Sequence, residues 1–399
     1  MPKFIMLVGD GMGDYPIDAL KGRTPLEAAK TPNMDFIATH GAIGLVETIP
    51  KGMPAGSDVA NMTLMGFDPQ AYYTGRGPIE AVSLGISTTA EDVIFRCNFV
   101  TLTEERGRFF MIDYSADHIS TEEARILINA LKEETDDKKF DFFAGISYRH
   151  ILVWHKGKET FQTIPPHDIV EQDVTDYFFS LPEEIKTLML KARYILRRHP
   201  INQSRTNRGL KPANSIWPWG QGKMPRMPKF KEKFGLDGAV ISAVDLIKGI
   251  GILIGLKSID VPGATGYFDT NYKAKADYAL NMLKEVDFVY VHVEAPDEAG
   301  HEGNLEAKLE AIEAFDSLVV GTILNAAELQ KIKILLTTDH YTPISVRTHI
   351  ALPVPFAIFW GRKEKASYRP FCERSAKESQ VFVKPGYRLM ELFLKSLQR

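Results

Sequence analysis

The sequence predicts an α/β fold: a mostly parallel sheet flanked by helices, with an inserted α+β domain. Short, continuously apolar segments such as Phe4 to Val8 are typical of parallel strands buried on both faces. Strand-like GAVISA, DFVYVHVEA and KIKILLTTD alternate with helix-like stretches in the C-terminal half. Between about 86 and 215 the pattern changes to the strands DVIFRCNFVTL, RFFMIDYS and YRHILVW and the amphipathic helix TEEARILINALKEE.

The domain organisation follows from this change of pattern. A chain of 399 residues exceeds the usual size of a single domain. We therefore predict a discontinuous α/β domain over 1–85 plus 216–399. The α+β domain over 86–215 is inserted into it.

Helix boundaries are predicted at several positions of the first domain. Thr24 to Glu27 has the hydroxyl, proline and glutamate of a capping box, which begins a helix. A second helix covers roughly Asp35 to Thr39 and stops at Gly41. Ser57 is the predicted N-cap of a third. Further helices are expected over VDLIKGIGILIGL, KADYALNMLKEV and NLEAKLEAIEAFDSLVVGTILNAAEL.

The composition restricts the function classes. A net charge of -3, with 44% hydrophobic and 25% charged residues, gives no sign of a nucleic-acid surface. Two cysteines, Cys97 and Cys372, indicate neither a disulfide framework nor a cysteine metal site. The start MPKF lacks the pattern of a secretion signal, and Asp245 and Lys248 interrupt the most membrane-like stretch. We expect a cytoplasmic protein with a small-molecule substrate and no membrane partner.

Three buried-looking strands end in an aspartate. Asp10 follows the first strand, Asp297 follows DFVYVHVEA, and Asp339 ends KIKILLTTD. Because ligands bind at the carboxyl ends of strands in open α/β sheets, these carboxylates are expected to meet at one edge. For Asp10 alone, a turn with Gly11 and Gly13 is the alternative interpretation.

Histidines accompany these aspartates. His301 lies four residues after Asp297, a spacing that puts both on one side of a helical turn. His340 follows Asp339 directly, and His349 lies in VRTHIALP. Carboxylate oxygens with imidazole nitrogens suit zinc, manganese or a similar divalent ion. Two such ions about 4 Å apart would hold the attacking and leaving oxygens of a displacement at phosphorus.

Ser57 would be the nucleophile of that displacement. A serine hydroxyl attacks poorly unless its alkoxide is stabilised, and a metal ion together with a helix N-terminus supplies that stabilisation. The amide groups of the same helix start would hold phosphoryl oxygens.

The motifs VGDGMGD, TPNMD, GSDVAN, DEAGH, TTDH and RTH, with GRGPIEA, SYRHILV and VPGATGYFDTNY, resemble those of the alkaline phosphatase superfamily. The match is to its cofactor-independent phosphoglycerate mutases of the archaeal type. The resemblance implies two divalent ions (manganese, zinc or magnesium) and no bisphosphoglycerate. It implies one ion held by Asp297, His301 and His349, and a second held by Asp10, Asp339 and His340, with Ser57 coordinated to the second ion and phosphorylated.

The implied reaction is the interconversion of 3-phosphoglycerate and 2-phosphoglycerate in glycolysis and gluconeogenesis, through phosphoserine and retained glycerate. MIDYSADHISTEEA, ISYRHILVW and PANSIWPWGQGK also resemble a bacterial side branch proposed to act as homoserine kinases. Whether glycerate or homoserine accepts the phosphoryl group therefore stays open. The sequence has no P-loop for a nucleotide, which weakens the kinase alternative. A hydrolase of phosphate, sulfate or phosphonate esters and an inactive metal-binding module are further alternatives.

Residues expected to contact the substrate lie mostly in the inserted domain. Arginine pairs bidentately with anionic groups, which selects Arg149 and Arg205. Asp168 would take a proton from the accepting hydroxyl while His167 orients it, and Lys273 would approach from the metal-binding domain. The alternatives are a solvated basic helix face around Arg205 and a turn role for Asp168. For the tryptophans of SIWPWG, packing in the core competes with a domain interface.

Overall fold

A computed structural model describes residues 2–135, 138–326, 328, 331–361 and 366–395. The chain divides into two compact units, the first comprising Met1–Tyr73 and Arg226–Arg399, the second Thr74–Pro225. The sequence-based bounds, 86 and 215, fall inside the second unit. At the N-terminal bound the difference arises because the helix Arg76–Ser83 packs on strands of that unit. At the C-terminal bound it arises because the strand Ser215–Gly222 pairs with the strand Val93–Glu105.

Strands of both units are numbered together in chain order. They are β1 (Lys3–Gly9), β2 (Ala42–Val46), β3 (Val93–Glu105), β4 (Arg108–Asp113), β5 (Phe140–Phe143), β6 (Arg149–Trp154), β7 (Ser215–Gly222), β8 (Gly238–Ile241), β9 (Lys257–Ile259), β10 (Phe288–Val293), β11 (Ile332–Thr337), β12 (Val354–Phe359) and β13 (Phe382–Val383).

The α-helices are numbered in the same way. They are α1 (Pro25–Ala28), α2 (Pro32–His40), α3 (Ser57–Leu64), α4 (Pro69–Tyr72), α5 (Arg76–Ser83), α6 (Thr121–Thr135), α7 (Thr175–Ser180), α8 (Glu183–Arg198), α9 (Pro200–Asn207), α10 (Phe230–Phe234), α11 (Asp245–Leu253), α12 (Tyr272–Met282), α13 (Ala295–Glu302), α14 (Leu305–Ala314), α15 (Gly321–Ala326), α16 (Glu373–Glu378) and α17 (Arg388–Lys395). Short 3₁₀ helices cover Asp18–Leu20 and Pro166–Ile169, and a π-helix covers Phe315–Val320.

The first unit contains the predicted, mostly parallel sheet. Its strand order is β13-β2-β12-β11-β1-β10-β8-β9. β1 lies in the middle and pairs in parallel with β10 and β11, whereas β12 is antiparallel to both of its neighbours. Phe4 to Val8 are at most 2% exposed, as expected of a strand covered on both faces. The fold class is therefore confirmed for this unit.

Two predicted helix starts have different outcomes. The capping box is confirmed: the Thr24 hydroxyl accepts from the amide of Glu27, whose carboxylate accepts from the amide of Thr24. The prediction that Ser57 is an N-cap is wrong, because Gly56 occupies that position and Ser57 is the first residue of α3. The hydroxyl of Ser57 lies beside His340 instead.

The long C-terminal helix is predicted as continuous but has a π-helical turn at Phe315–Val320 between α14 and α15. In this turn lies Asp316, whose carboxylate accepts hydrogen bonds from the amides of Asn33 and Met34 at 3.0 and 2.7 Å. These are orphan donors of the first turn of α2. The wider turn thus directs a carboxylate at the N-terminus of a neighbouring helix.

The second unit is built on an antiparallel sheet. Its order is β4-β3-β6-β5, and β7 pairs with the other edge of β3. Trp217 and Trp219 of β7 are 0% and 6% exposed and belong to the hydrophobic core of this unit. Their indole nitrogens donate to the carbonyl of Ile164 and to Oδ1 of Asn98.

Among the helices of the described residues, none has both the length and the apolar character needed to cross a bilayer. The stretch 238–257 instead forms β8, α11 and the start of β9.

Candidate metal centre

The three aspartates that follow buried strands come together. β11, β1 and β10 are neighbours in the sheet. Just beyond the carboxyl ends of these strands lie, in the same order, Asp339, Asp10 and Asp297. All three residues are buried. The amide of Gly11 donates to Oδ1 of Asp339 at 3.1 Å, which ties the first loop to the last.

Two groups of metal-ligand atoms form at this edge. Asp297, His340 and His349 offer atoms within 4.8 Å of one another, and so do Asp10, Asp339 and His340. His340 belongs to both groups. Its Nε2 lies 3.3 Å from Oδ1 of Asp10 and 3.5 Å from Oδ2 of Asp339, and its Nδ1 lies 4.0 Å from Oδ1 of Asp297.

His301 joins the first group from α13. Its Nε2 lies 3.2 Å from Oδ2 of Asp297, one helical turn earlier, and 2.9 Å from Nε2 of His349. Its other ring nitrogen lies 3.1 Å from the carbonyl oxygen of Arg347, which orients the imidazole. Three side chains predicted to bind one ion are therefore adjacent.

Ser57 adjoins the second group. Its Oγ lies 3.0 Å from Nε2 of His340. The side chain of Asn61, one turn further along α3, donates to the carbonyl of Ser57 and to Oδ2 of Asp339, both at 2.8 Å. Asn61 therefore fixes the start of α3 relative to a predicted ligand.

The electrostatics of the centre favour a cation. Burial, followed by the neighbouring carboxylate of Asp339, raises the pKa of Asp10 well above its usual range. Oδ1 of Asp10 is buried and accepts no hydrogen bond from the described residues. Burial also lowers the pKa of His340 to about 4, which keeps the imidazole neutral, the form that binds metal. Carboxylate oxygens with the neutral imidazole of His340 fit divalent ions of the zinc and manganese type.

The loop that follows β1 approaches Asp297 so closely that it requires a glycine. Gly11 has a φ of +60°, and a Cβ there would lie 2.5 Å from Oδ1 of Asp297. Any side chain at this position would displace a predicted ligand.

In the second unit, the predicted contact Arg149 lies in a cluster of basic residues. Glu80 accepts a hydrogen bond from Arg76 at 2.7 Å and another from Arg96. The guanidinium groups of Arg76 and Arg96 lie 5.8 and 5.3 Å from the ring centroid of Trp219. Coulombic interactions with Arg96, Arg76 and Arg149 offset burial and leave the pKa of Glu80 below its usual value. Three arginines therefore act electrostatically on one glutamate.

His167 and Asp168 lie in the 3₁₀ turn Pro166–Ile169. Their side chains are 48% and 59% exposed, with Nε2 of His167 3.7 Å from Oδ1 of Asp168. The imidazole packs edge-on against Tyr114 and Trp219, with centroids 6.1 and 5.6 Å apart. Through Trp219, this pair adjoins the cluster of arginines.

The structure does not support the prediction for Arg205. Its side chain is 3% exposed and is held by Glu123 and by the carbonyls of Ala116 and Lys211. Because the guanidinium of Arg205 is bonded to these groups inside the second unit, we assign Arg205 a structural role.

Lys273 lies on α12 of the first unit and is exposed. It pairs with Asp277 one turn later at 2.7 Å, as exposed helix residues commonly do. This geometry provides no specific support for a substrate contact.

Comparisons with known proteins identify the family. A family model described as 2,3-bisphosphoglycerate-independent phosphoglycerate mutase matches residues 38–202. A Geobacter sulfurreducens protein named probable 2,3-bisphosphoglycerate-independent phosphoglycerate mutase is 50% identical over 98% of this chain and 99% of its own. A Methanosarcina barkeri mutase of that name is 50% identical over 99% and 100%. The chain belongs to this family.

A solved structure supports the assignment. The cofactor-independent phosphoglycerate mutase from Thermoplasma acidophilum is 27% identical, with a TM-score of 0.65, and the match covers 99% of this chain and 100% of that one. The resemblance inferred from the motifs is confirmed, and the chain is an enzyme of the phosphoglycerate mutase family.

Sequence reasoning missed several residues of the centre. Nε2 of His292, in β10, lies 3.0 Å from Oδ2 of Asp10. Asn61 follows Ser57 by four residues, and this helical spacing could have identified it. Thr342, whose hydroxyl donates to Asp297, follows TTDH without any distinguishing pattern. Residues that act across the fold leave little signal in the linear sequence.

Proposed function

We propose that this protein interconverts 3-phosphoglycerate and 2-phosphoglycerate without bisphosphoglycerate, by way of phosphorylated Ser57. The observation that carries the proposal is the position of the Ser57 hydroxyl, 3.0 Å from a histidine shared by two groups of metal-ligand atoms. Membership of the family adds support, since relatives 50% identical over almost the whole chain carry the mutase name.

Under this proposal seven residues bind or adjoin two divalent ions, which would be manganese, zinc or magnesium. Asp297, His301 and His349 hold one ion, and Asp10, Asp339, His340 and Ser57 hold the other. When bound, the ions stabilise the Ser57 alkoxide and neutralise phosphoryl oxygens. Ser57 also begins α3, where the positive end of the helix dipole favours a phosphoryl group.

The transfer has two steps. Oγ of Ser57 loses its proton and forms a bond to phosphorus as the bond from phosphorus to O3 breaks, and the departing O3 of glycerate takes up that proton. The O2 hydroxyl then loses its proton and attacks the phosphoserine, which breaks the bond to Oγ, gives 2-phosphoglycerate and returns the proton to Ser57. Asp168 is the proposed proton acceptor for that hydroxyl, with His167 beside it.

The second unit supplies the proposed recognition of the carboxylate. Arg149 is exposed and lies in the cluster of arginines whose charges lower the pKa of Glu80. A bidentate pair with a guanidinium would hold glycerate between the two steps. Retention distinguishes a mutase from a phosphatase, because water would otherwise hydrolyse the phosphoserine.

The decisive experiment supplies 3-phosphoglycerate and a divalent metal ion but no bisphosphoglycerate. We expect 2-phosphoglycerate to accumulate, as followed by ³¹P NMR, and Ser57→Ala to abolish it. Ser317→Ala is the matched control, because this exposed serine donates to the carbonyl of Glu313, one helical turn earlier. Acid quenching followed by mass spectrometry should detect phosphate on Ser57.

A parallel reaction with ATP and homoserine tests the alternative acceptor. Phosphohomoserine in that reaction, without isomerisation of phosphoglycerate, would reject the mutase in favour of a kinase. Release of inorganic phosphate alone would indicate a hydrolase. The cytoplasmic location stays a prediction from the sequence.

A further inference from the structure

Thr342 lies between the two groups of metal-ligand atoms without belonging to either. It is completely buried. Its hydroxyl donates a hydrogen bond to Oδ1 of Asp297, in the first group, and lies 3.2 Å from Nδ1 of His340, which both groups share. A single hydroxyl therefore contacts two predicted ligands.

The chemistry of the imidazole gives these contacts a direction. Nε2 of His340 faces Oγ of Ser57 at 3.0 Å and Oδ1 of Asp10 at 3.3 Å, so Nε2 is the nitrogen directed at the second group. A neutral imidazole that binds metal through one nitrogen carries its proton on the other. Nδ1 then donates to the Thr342 hydroxyl, which in turn donates to Asp297.

The backbone of Thr342 is held rigidly, which fixes the position of the hydroxyl. Nζ of Lys308 is completely buried and donates to the carbonyl of Thr342 at 2.8 Å and to Oδ2 of Asp14 at 2.8 Å. The amide of Thr342 donates to the carbonyl of Gly13 at 3.2 Å. These bonds link Thr342 to the loop that follows Asp10.

Helix α13 also approaches Thr342 closely. A Cβ on Gly300 would lie 2.3 Å from the carbonyl oxygen of Thr342. Because α13 carries Asp297 and His301, this contact sets the distance between the helix and the Thr342 hydroxyl. The Thr342 hydroxyl and its acceptor Asp297 are thus fixed by packing.

We infer that Thr342 is a positioning residue that sets the tautomer of His340 and orients Asp297, so that the two metal sites form together. The inference rests on the proposed metal centre and extends it. Partners of this kind are typically worth 10- to 100-fold in metal affinity, roughly, when they are removed. Loss of the Thr342 hydroxyl should therefore weaken binding at both sites.

The test is a titration of the full-length, metal-free protein with Co²⁺, followed by calorimetry and by the visible absorption of the bound ion. The variants are Thr342→Val, which keeps the shape but removes the hydroxyl, and Thr342→Ser, which keeps the hydroxyl. Thr48→Val is the matched control, because Thr48 is equally buried and its hydroxyl has no hydrogen-bond partner among the described residues.

We expect Thr342→Val to bind Co²⁺ at least about tenfold more weakly, with a changed absorption spectrum. Thr342→Ser should stay within about threefold of wild type, and Thr48→Val should not differ from it. Circular dichroism establishes that each variant is folded.

Wild-type affinity and spectrum in Thr342→Val would overturn the inference, and so would a Ser variant as weak as the Val variant. If the wild-type protein does not bind two ions, the proposed metal centre fails and the inference fails with it. Failure of the metal centre is distinguishable from failure of the inference about Thr342, because the titration of the wild-type protein alone shows it.

Discussion

At the sheet edge of the first unit, Asp10, Asp339 and His340 are each at most 1% exposed, whereas in the second unit the side chains of His167 and Asp168 are 48% and 59% exposed. Buried polar groups must be satisfied by one another or by a cation, so their arrangement is set before any substrate arrives. The half-exposed pair stays hydrated, and packing constrains its position less. The candidate metal centre is therefore more completely preorganised than His167 and Asp168.

Removing the metal ions should produce the largest effect. Dialysis against a chelator is expected to lower mutase activity by about 10³-fold or more, since the buried carboxylates then have no cation and Ser57 loses its activation. Activity should return when Mn²⁺, Co²⁺ or another divalent ion is added back. Full activity in protein shown by elemental analysis to be metal-free would contradict the importance assigned to this region.

Lys308→Met tests the packing beneath the metal centre. The substitution leaves the buried carboxylate of Asp14 without its cation and should lower the free energy of unfolding by about 3–5 kcal/mol. Urea denaturation measures the change. The double variant with Asp14→Asn removes both charges and should recover more than half of the loss. Equal stability of the single and double variants would show that the buried charge is not the cause.

A pair of arginine variants tests the contrast within the second unit. Arg205→Ala should lower the free energy of unfolding by about 3 kcal/mol, while the KM of the folded enzyme stays unchanged. The substitution leaves two carbonyls without their donor and Glu123 with Arg208 alone as its cation. Arg149→Ala should leave stability unchanged and raise the KM for phosphoglycerate about tenfold. If the two variants exchanged these effects, the roles assigned here would be reversed.

The smallest expected effect is a pH dependence of stability at Glu373. Burial raises the pKa of this carboxyl to about 7, although it accepts hydrogen bonds from the hydroxyl of Thr24 and the amide of Asp14. The folded protein therefore keeps a proton that the unfolded chain loses near pH 4.5. The protonated carboxyl of Glu373 therefore stabilises the folded protein fully below pH 4.5, and this stabilisation is lost as the pH rises through about 7.

Glu373→Gln, which cannot ionise, provides the reference for this measurement. Between pH 5 and pH 8 the free energy of unfolding of wild type should fall relative to that of the variant, by about 1–2 kcal/mol. Parallel curves for the two proteins over this range would show that Glu373 ionises normally.

The proximity of the candidate metal ligands was largely predictable because topology places these residues. In a parallel sheet the carboxyl ends of neighbouring strands lie at the same edge. Aspartates that follow such strands therefore lie close together at that edge. The sharing of His340 between two groups could not be predicted in the same way. It depends on distances across the fold that no spacing in the sequence contains.

The second unit was less predictable for a related reason. Arg205 and Glu123 are separated by 82 residues, and nothing local distinguishes a buried ion pair from a solvated basic helix. β7 contains Pro218, which argues against a strand in sequence-based reasoning, yet β7 pairs with β3 along most of its length. At Ser57 the rule for N-caps failed because the hydroxyl lies beside His340 instead of capping the helix.

The order of strands in the first sheet has a consequence for biosynthesis. β1 is made first, but its partners begin only at Phe288 and Ile332, after the strands of the second unit, from Val93 to Gly222, have all been synthesised. The nascent apolar segment KFIMLVG thus leaves the ribosome long before it has a place to pair. Until β10 and β11 have been synthesised, it is an unpaired apolar segment that is exposed to aggregation.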